Sequence, residues 1–176
     1  MDVMKTLIDD EPERPMHVGE VMTCWTYLMM LEEEKVNVQI GLNTTMDEDL
    51  RRALQASMKL ATEQPEKLKN FMLKEGVPLP PVSEKKPESA PEAVPMGVKL
   101  TDDEIANALS VKVVANYMMC ATGAVQSIRN DIGAMFAGFQ VEKLQFGASL
   151  KSMMRKRGWI KIPPYYLPSG LPQSER

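Results

Sequence analysis

The chain reads as an all-α protein built as a bundle of four long helices. Three observations predict this: where its 13 prolines fall, how apolar residues are spaced between them, and how unequal the connections are. Prolines stand at 12 and 15, at 65, from 78 to 95 and from 163 to 172, leaving none in residues 16–64 and 96–162. Proline lacks an N–H and clashes with the preceding turn, so long helices belong in those gaps.

The first helix is expected over 16–42. It begins just after Pro15, and apolar residues recur at Val18, Met22, Trp25, Met29, Val36 and Ile40, the spacing of a core-facing stripe. Leu28, Leu31 and Val38 widen that stripe, and Gly41-Leu42-Asn43 can end it in a left-handed cap. The second helix, 46–75, opens on Thr45-Met46-Asp47-Glu48, which has the form of a capping box. Its inner face is Leu50, Leu54, Ser57, Ala61, Leu68, Phe71 and Met72, with a kink or break expected at 62–64 ahead of Pro65. The third, 102–128, opens on a second box at Thr101 and Glu104 and continues through Ile105, Leu109, Val113, Tyr117, Cys120, Ala124 and Ile128. Val114, Met118 and Val125 lie alongside. The fourth, 131–157, follows a turn at 129–131 and carries Ile132, Met135, Phe136, Phe139, Phe146, Leu150 and Met153 to a stop at Gly158. These helices occupy a single domain, 16–162, between an N-terminal extension, 1–15, and a proline-rich tail, 163–176.

Helices of 26–30 residues are roughly 40–45 Å long. Only a few residues join the first to the second and the third to the fourth, so each pair must be an antiparallel hairpin. Residues 77–100, rich in Pro, Lys, Glu and Ser, separate the hairpins. In a polyproline II conformation about 13 residues already span 40 Å, so this linker is long enough to run the length of the bundle. Two antiparallel hairpins joined by one long crossover make the bundle ferritin-like.

Composition narrows function more than it assigns it. With 21 basic and 24 acidic residues the net charge is −3, which argues against bulk electrostatic binding to nucleic acid or to an anionic membrane. No apolar run is expected to reach the 18–20 residues of a spanning helix. The start, Met1 to Lys5 followed by Asp9-Asp10-Glu11, is unlike a secretory signal, so a cytoplasmic protein is expected. Two cysteines, Cys24 and Cys120, read as inert core thiols that could face each other. A di-iron or di-manganese centre in such a bundle needs Glu-x-x-His from each of two helices. The chain has one histidine, His17, and no Glu-x-x-His; Glu20, Glu32, Glu34, Glu104 and Glu142 are not arranged in that pattern. No metal, cofactor or catalytic residue is therefore expected, and the chain does not read as an enzyme.

Two sets of residues remain as candidate sites. Trp25, Tyr27, Tyr117, Met118 and Phe139 could wall an interior pocket, because bundle cores host ligand sites; packing alone would also explain them. Arg155, Lys156 and Arg157, near Lys151, Trp159 and Lys161, could dock an acidic partner, although cations at a helix C-terminus also complement its dipole.

Several phrases resemble a known family. They are Gly19-Glu20-Val21 followed by Trp25-Thr26-Tyr27, then Glu75-Gly76-Val77-Pro78-Leu79-Pro80. Arg129 with Asp131 belongs with them, as does Arg157-Gly158-Trp159 followed by Ile162-Pro163-Pro164-Tyr165. In order and spacing they resemble domain-of-unknown-function family 3231, which is similar to spore coat protein F, across residues 16–166. The resemblance implies a ferritin-like bundle in a spore-forming bacterium, with deposition in the spore coat and other coat proteins as partners. It implies no activity or catalytic residue. The linker departs from the family, since 82–95 is a Lys-Glu-Pro-Ser-Ala segment where relatives carry aromatic and acidic residues. Many relatives also carry two bundles in tandem, whereas this chain has room for one. Bundles of this kind pair through exposed helix faces, so a homodimer is expected. The primary expectation is a non-enzymatic structural or interaction protein. The alternative is a ligand-binding or metal-binding bundle with a Met/aromatic pocket.

Overall fold

The computed structural model describes residues 14–166. Its helices are α1 (Val18–Thr44), α2 (Glu48–Lys74), α3 (Asp102–Gln126) and α4 (Asn130–Arg157), with one 3-10 turn at Pro91–Ala93 in the linker. The expected N-terminal extension, apart from Arg14 and Pro15, and the tail beyond 166 lie outside the described residues.

Side chains that satisfy free N–H groups set most of the helix starts. His17 caps α1: its Nδ1 accepts from the Gly19 N–H at 3.0 Å, while the Glu20 carboxylate accepts from the His17 N–H at 3.1 Å. Thr101 and Glu104 form the expected box on α3. For α2 the expectation is corrected, because Asp47 is the cap and accepts from the Leu50 N–H at 2.9 Å. Thr45 instead closes α1, and its hydroxyl donates to Asp102 Oδ1 on α3 at 2.6 Å. Gly76 and Gly158 sit just past the ends of α2 and α4 with φ of 72°, the left-handed conformation that favours glycine.

Pro65 does not break α2, which runs unbroken from Glu48 to Lys74. An interior proline costs about 3 kcal/mol in an isolated helix. Here the surrounding turns are held by burial of Ala61, Gln64, Pro65 and Leu68, so packing overrides the local preference.

Helix α1 packs on α2 and α3, and α4 packs on α3 and α2. Thr45 meets Asp102 at one end, and Glu20 meets the 128–129 turn at the other, so all four neighbouring pairs are antiparallel. The linker climbs beside α1 in the same direction: Ser83 donates to Glu33, the Lys86 N–H to Gln39, and Asn43 to the Pro87 carbonyl. That contact ladder is the long crossover.

Which face points inward was legible for some helices and not for others. On α2 the expected residues are buried, with Phe71 partly so. On α1 the expected stripe is largely the outer one: Val18, Met22 and Ile40 are exposed and Met29 is borderline. The true inner face is Cys24, Tyr27, Leu28, Leu31 and Val38, together with Glu20, Glu32 and Glu34. The helix is apolar on nearly every side, and carboxylates interrupt its inner face, so periodicity could not choose correctly. Similarly on α3, Ile105, Leu109, Val113 and Cys120 are buried, but Val114, Met118 and Val125 face outward, and Ile128 lies exposed past the helix end at Gln126. By length and composition α3 is apolar enough to cross a membrane, which corrects the expectation that no run approaches that threshold. Only 28% of its most apolar window is buried, and its inner face carries the hydrogen-bonded Asn116.

Small residues set the α3–α4 spacing. A Cβ on Gly123 would lie 2.7 Å from Phe136 Cγ, inside a buried ring. Gly123→Ala should therefore destabilise the bundle by about 1–3 kcal/mol in urea denaturation. An unchanged midpoint would show that the two helices separate without cost.

Candidate functional site

The bundle centre is polar, and one residue from each helix builds it. Glu34 on α1 and Lys143 on α4 are each only 1% exposed. Lys143 Nζ donates to Glu34 Oε2 at 3.1 Å, and Asn116 Nδ2 on α3 donates to the same oxygen at 2.6 Å. Ser57 Oγ on α2 donates to Glu34 Oε1 at 2.8 Å. Both carboxylate oxygens therefore have donors, as a charge buried away from water requires. This layer divides the core in two. One apolar cluster gathers Tyr27, Leu31, Met72 and Phe136; the other gathers Val38, Leu54, Val113 and Phe146.

A second polar layer lies one heptad away, about 10 Å along the axis. Tyr27 donates to Gln64 Oε1 at 2.8 Å, and Gln64 Nε2 donates to Glu142 Oε2 at 2.7 Å. Burial pushes the Tyr27 phenol well above its ordinary range, with Cys120 and Glu34 adding to the effect. Beside these layers, Glu32 receives Lys35 at 2.8 Å and Lys69 at 2.6 Å. Burial opposes the Glu32 charge, but the two lysines outweigh it and hold the carboxyl below its ordinary value of 4.5.

The opposite end is tied by two groups. Glu20 Oε1 accepts from the N–H groups of Ile128 and Arg129, both at 2.8 Å. The Arg129 guanidinium joins Glu75 at the end of α2 to Asp131 in the first turn of α4. Its hydrogen bonds hold Asp131 below the usual carboxylate range.

The expected site residues fall in different places. Tyr27 and Phe139 stack in the core with ring centroids 5.9 Å apart. Trp25 is partly buried against the same cluster. Met118 is 62% exposed, and Tyr117 lines an outer groove between α3 and α4. These five do not surround one space. Of the basic residues, Arg155 lines that outer groove, Lys156 is exposed, and Arg157 pairs with the α2 cap Asp47 and with Asp49 at 2.9 and 2.7 Å. Cys24 and Cys120 are free, wholly buried thiols, pushed by burial up to about 12 and about 11.

Sequence reasoning missed Ser57 with Glu34, Asn116 and Lys143 as a constellation. Each is a polar residue at a core position of its helix, and that was the available signal. The central donor set does not fit a di-metal cluster: its one carboxylate is already neutralised by a lysine ammonium, and no imidazole is near. Among the described residues no group of three His, Cys, Asp or Glu is placed to hold a metal ion.

Helix order, antiparallel neighbours and the long crossover define a ferritin-like four-helix bundle whose centre is closed by an internal ion pair. The chain belongs to the family described as Protein of unknown function (DUF3231), whose model matches residues 5–170. It is 30% identical over 164 residues to Uncharacterized protein YvdQ of Bacillus subtilis (strain 168), covering 93% of this chain and 96% of that protein. A crystal structure of a putative spore coat protein from Bacillus halodurans C-125 matches with a TM-score of 0.86 and 30% identity, over 88% of this chain and 98% of that one. The fold alone is shared with a two-domain protein of Anabaena variabilis ATCC 29413 that contains DJ-1/ThiJ/PfpI-like and ferritin-like domains. That match has a TM-score of 0.63 and 13% identity, over 87% of this chain and 41% of that one.

Two predictions test these buried charges. Lys143→Met strands Glu34 without its counter-charge and should cost about 3–5 kcal/mol of folding stability. Adding Glu34→Gln should recover part of that loss, because the amide oxygen can still accept from Asn116; a double variant no more stable than Lys143→Met would contradict the pairing. For Glu32 the folded carboxyl titrates below its unfolded value, so its stabilisation is present above about pH 4.5 and is lost as the pH falls through the folded value. Glu32→Gln should thus cost more stability at about pH 7 than at about pH 3.5. Equal costs at the two pH values would remove the claim.

Proposed function

We propose that this protein is a non-enzymatic structural component of the bacterial spore, made in the cytoplasm and laid into the coat through contacts with other coat proteins. The observation that carries the reading is the closed bundle centre, where Glu34 is satisfied from the three other helices and offers no open position for chemistry. The 30% identity and near-complete coverage of the Bacillus halodurans protein support the coat setting. The surface supports assembly, since α3 presents Val111, Met118 and Val125 to solvent and α1 presents Val18 and Met22. Exposed apolar strips of this kind are characteristic of surfaces that other proteins cover.

The metal-binding alternative is disfavoured by the donor set at the centre. For the coat reading, the experiment is immunodetection in coat extracts of purified spores from the native host, beside electron microscopy of a deletion strain. The protein is expected in the coat fraction, and its loss should disturb coat layering. Absence from the extracts with normal layers in the deletion would sink the reading.

A further inference from the structure

The outer side of the α3–α4 hairpin carries a groove of about 510 Å³ that the buried layers do not account for. Its size lies within the range of small-molecule sites, on the order of 300–1,000 Å³. The floor is hydrocarbon, made by Val113, Leu150 and Met154, all buried in the second core cluster. Small side chains at Ser110, Gly147 and Ala148 keep the trough open, and Val114, Tyr117 and Leu144 form its walls towards the middle of the bundle. From Leu144 to Arg155 the helix advances about 16 Å, so the groove is long and narrow rather than round.

Cations without an ion pair are confined to one part of this outline. The lining includes Lys143, Lys151, Arg155 and Lys161 and no carboxylate. Lys143 is committed to Glu34 and Lys161 to Asp103. Lys151 and Arg155 are exposed and have no ion pair among the described residues. An apolar trough that ends on two unneutralised cations is complementary to an amphiphilic anion. A peptide would bring backbone groups that the hydrocarbon floor cannot hydrogen-bond, whereas an acyl chain brings none. Bulk anionic surfaces are a poorer match, because the cations sit at one end rather than across a face.

We propose that this groove binds one free, single-chain anionic amphiphile of the fatty-acid class. The acyl chain lies over Val113, Leu150 and Met154, and the carboxylate sits between Lys151 and Arg155. The site is separate from the closed bundle centre and does not depend on the coat reading.

The test is isothermal titration of the full-length protein with dodecanoate below its micelle concentration, compared with dodecyltrimethylammonium. One dodecanoate per chain is expected, with the cationic probe at least about tenfold weaker. Ala148→Trp fills the trough from an exposed position, and the double reversal Lys151→Glu, Arg155→Glu removes the anion contacts. Each should weaken dodecanoate binding by at least about tenfold, with circular dichroism confirming the fold. Should the tryptophan variant not fold, the exposed charge-reversal pair still decides the matter. Absence of saturable binding, equal affinity for the two probes, or unchanged affinity in the charge-reversal variant would overturn the proposal. Sedimentation of the same samples provides a further check. A dimer that Ala148→Trp dissociates, with no dodecanoate bound by the wild type, would assign the groove to a second copy and equally overturn it.

Discussion

A carboxylate buried at the centre of the bundle must be satisfied from every side, and the arrangement of this protein depends on that requirement. Glu34 draws a hydroxyl from α2, an amide from α3 and an ammonium from α4. An isolated buried charge is far more costly than any single packing defect, so a rotation or slip of one helix that withdrew its donor would be strongly disfavoured. The layer works as a register pin: apolar contacts above and below it are non-directional, whereas four hydrogen-bonding groups meet in only one alignment. It also gives chemical meaning to the lack of Glu-x-x-His in a chain whose one histidine, His17, caps α1. The centre of this ferritin-like bundle is organised round the Glu34 carboxylate, whose charge a lysine built into the chain neutralises.

The ends of the bundle are fastened by the same kind of logic. Glu20 accepts from two backbone N–H groups of the α3–α4 turn, and Arg129 reaches both the end of α2 and the start of α4. Together these groups join all four helices at one end. At the other end Thr45 and Arg157 link α1 and α4 to their neighbours. The polyproline crossover follows α1 between the two fastenings, and its hydrogen bonds to Glu33, Gln39 and Asn43 explain how a segment with little to bury still has a defined path.

Placing charges inside has a consequence for the outside. Helices α1 and α3 carry more apolar residues than one inner face can hold, and the excess appears on the surface as Met22, Val111, Met118 and Val125. Burial of Glu32 and Glu34 on α1, and of Asn116 on α3, uses inner positions that apolar residues would otherwise fill. The protein is thus partly inverted relative to a simple amphipathic bundle. Its surface is suited to being covered, and its interior is specified by polar groups.

Much of the architecture was legible from residues alone. Proline positions, the Thr101–Glu104 box, Gly76, Gly158 and the length of the 77–100 segment determine four helices, two hairpins and a crossover, because these are local effects of backbone geometry and chain length. The inner face of α2 was equally legible, since that helix is polar enough for its stripe to stand out. The α1 face was not, because Val18 and Met22 on one side compete with Leu28 and Leu31 on another, and hydropathy assigns no inward preference to a glutamate. The meeting of Glu34, Ser57, Asn116 and Lys143 was beyond reach for the same reason. They are separated by 23 to 109 positions along the chain, and each looks ordinary on its own helix. Only the folded bundle decides that a charge on α1 is affordable, since that depends on three donors arriving from the other helices at once.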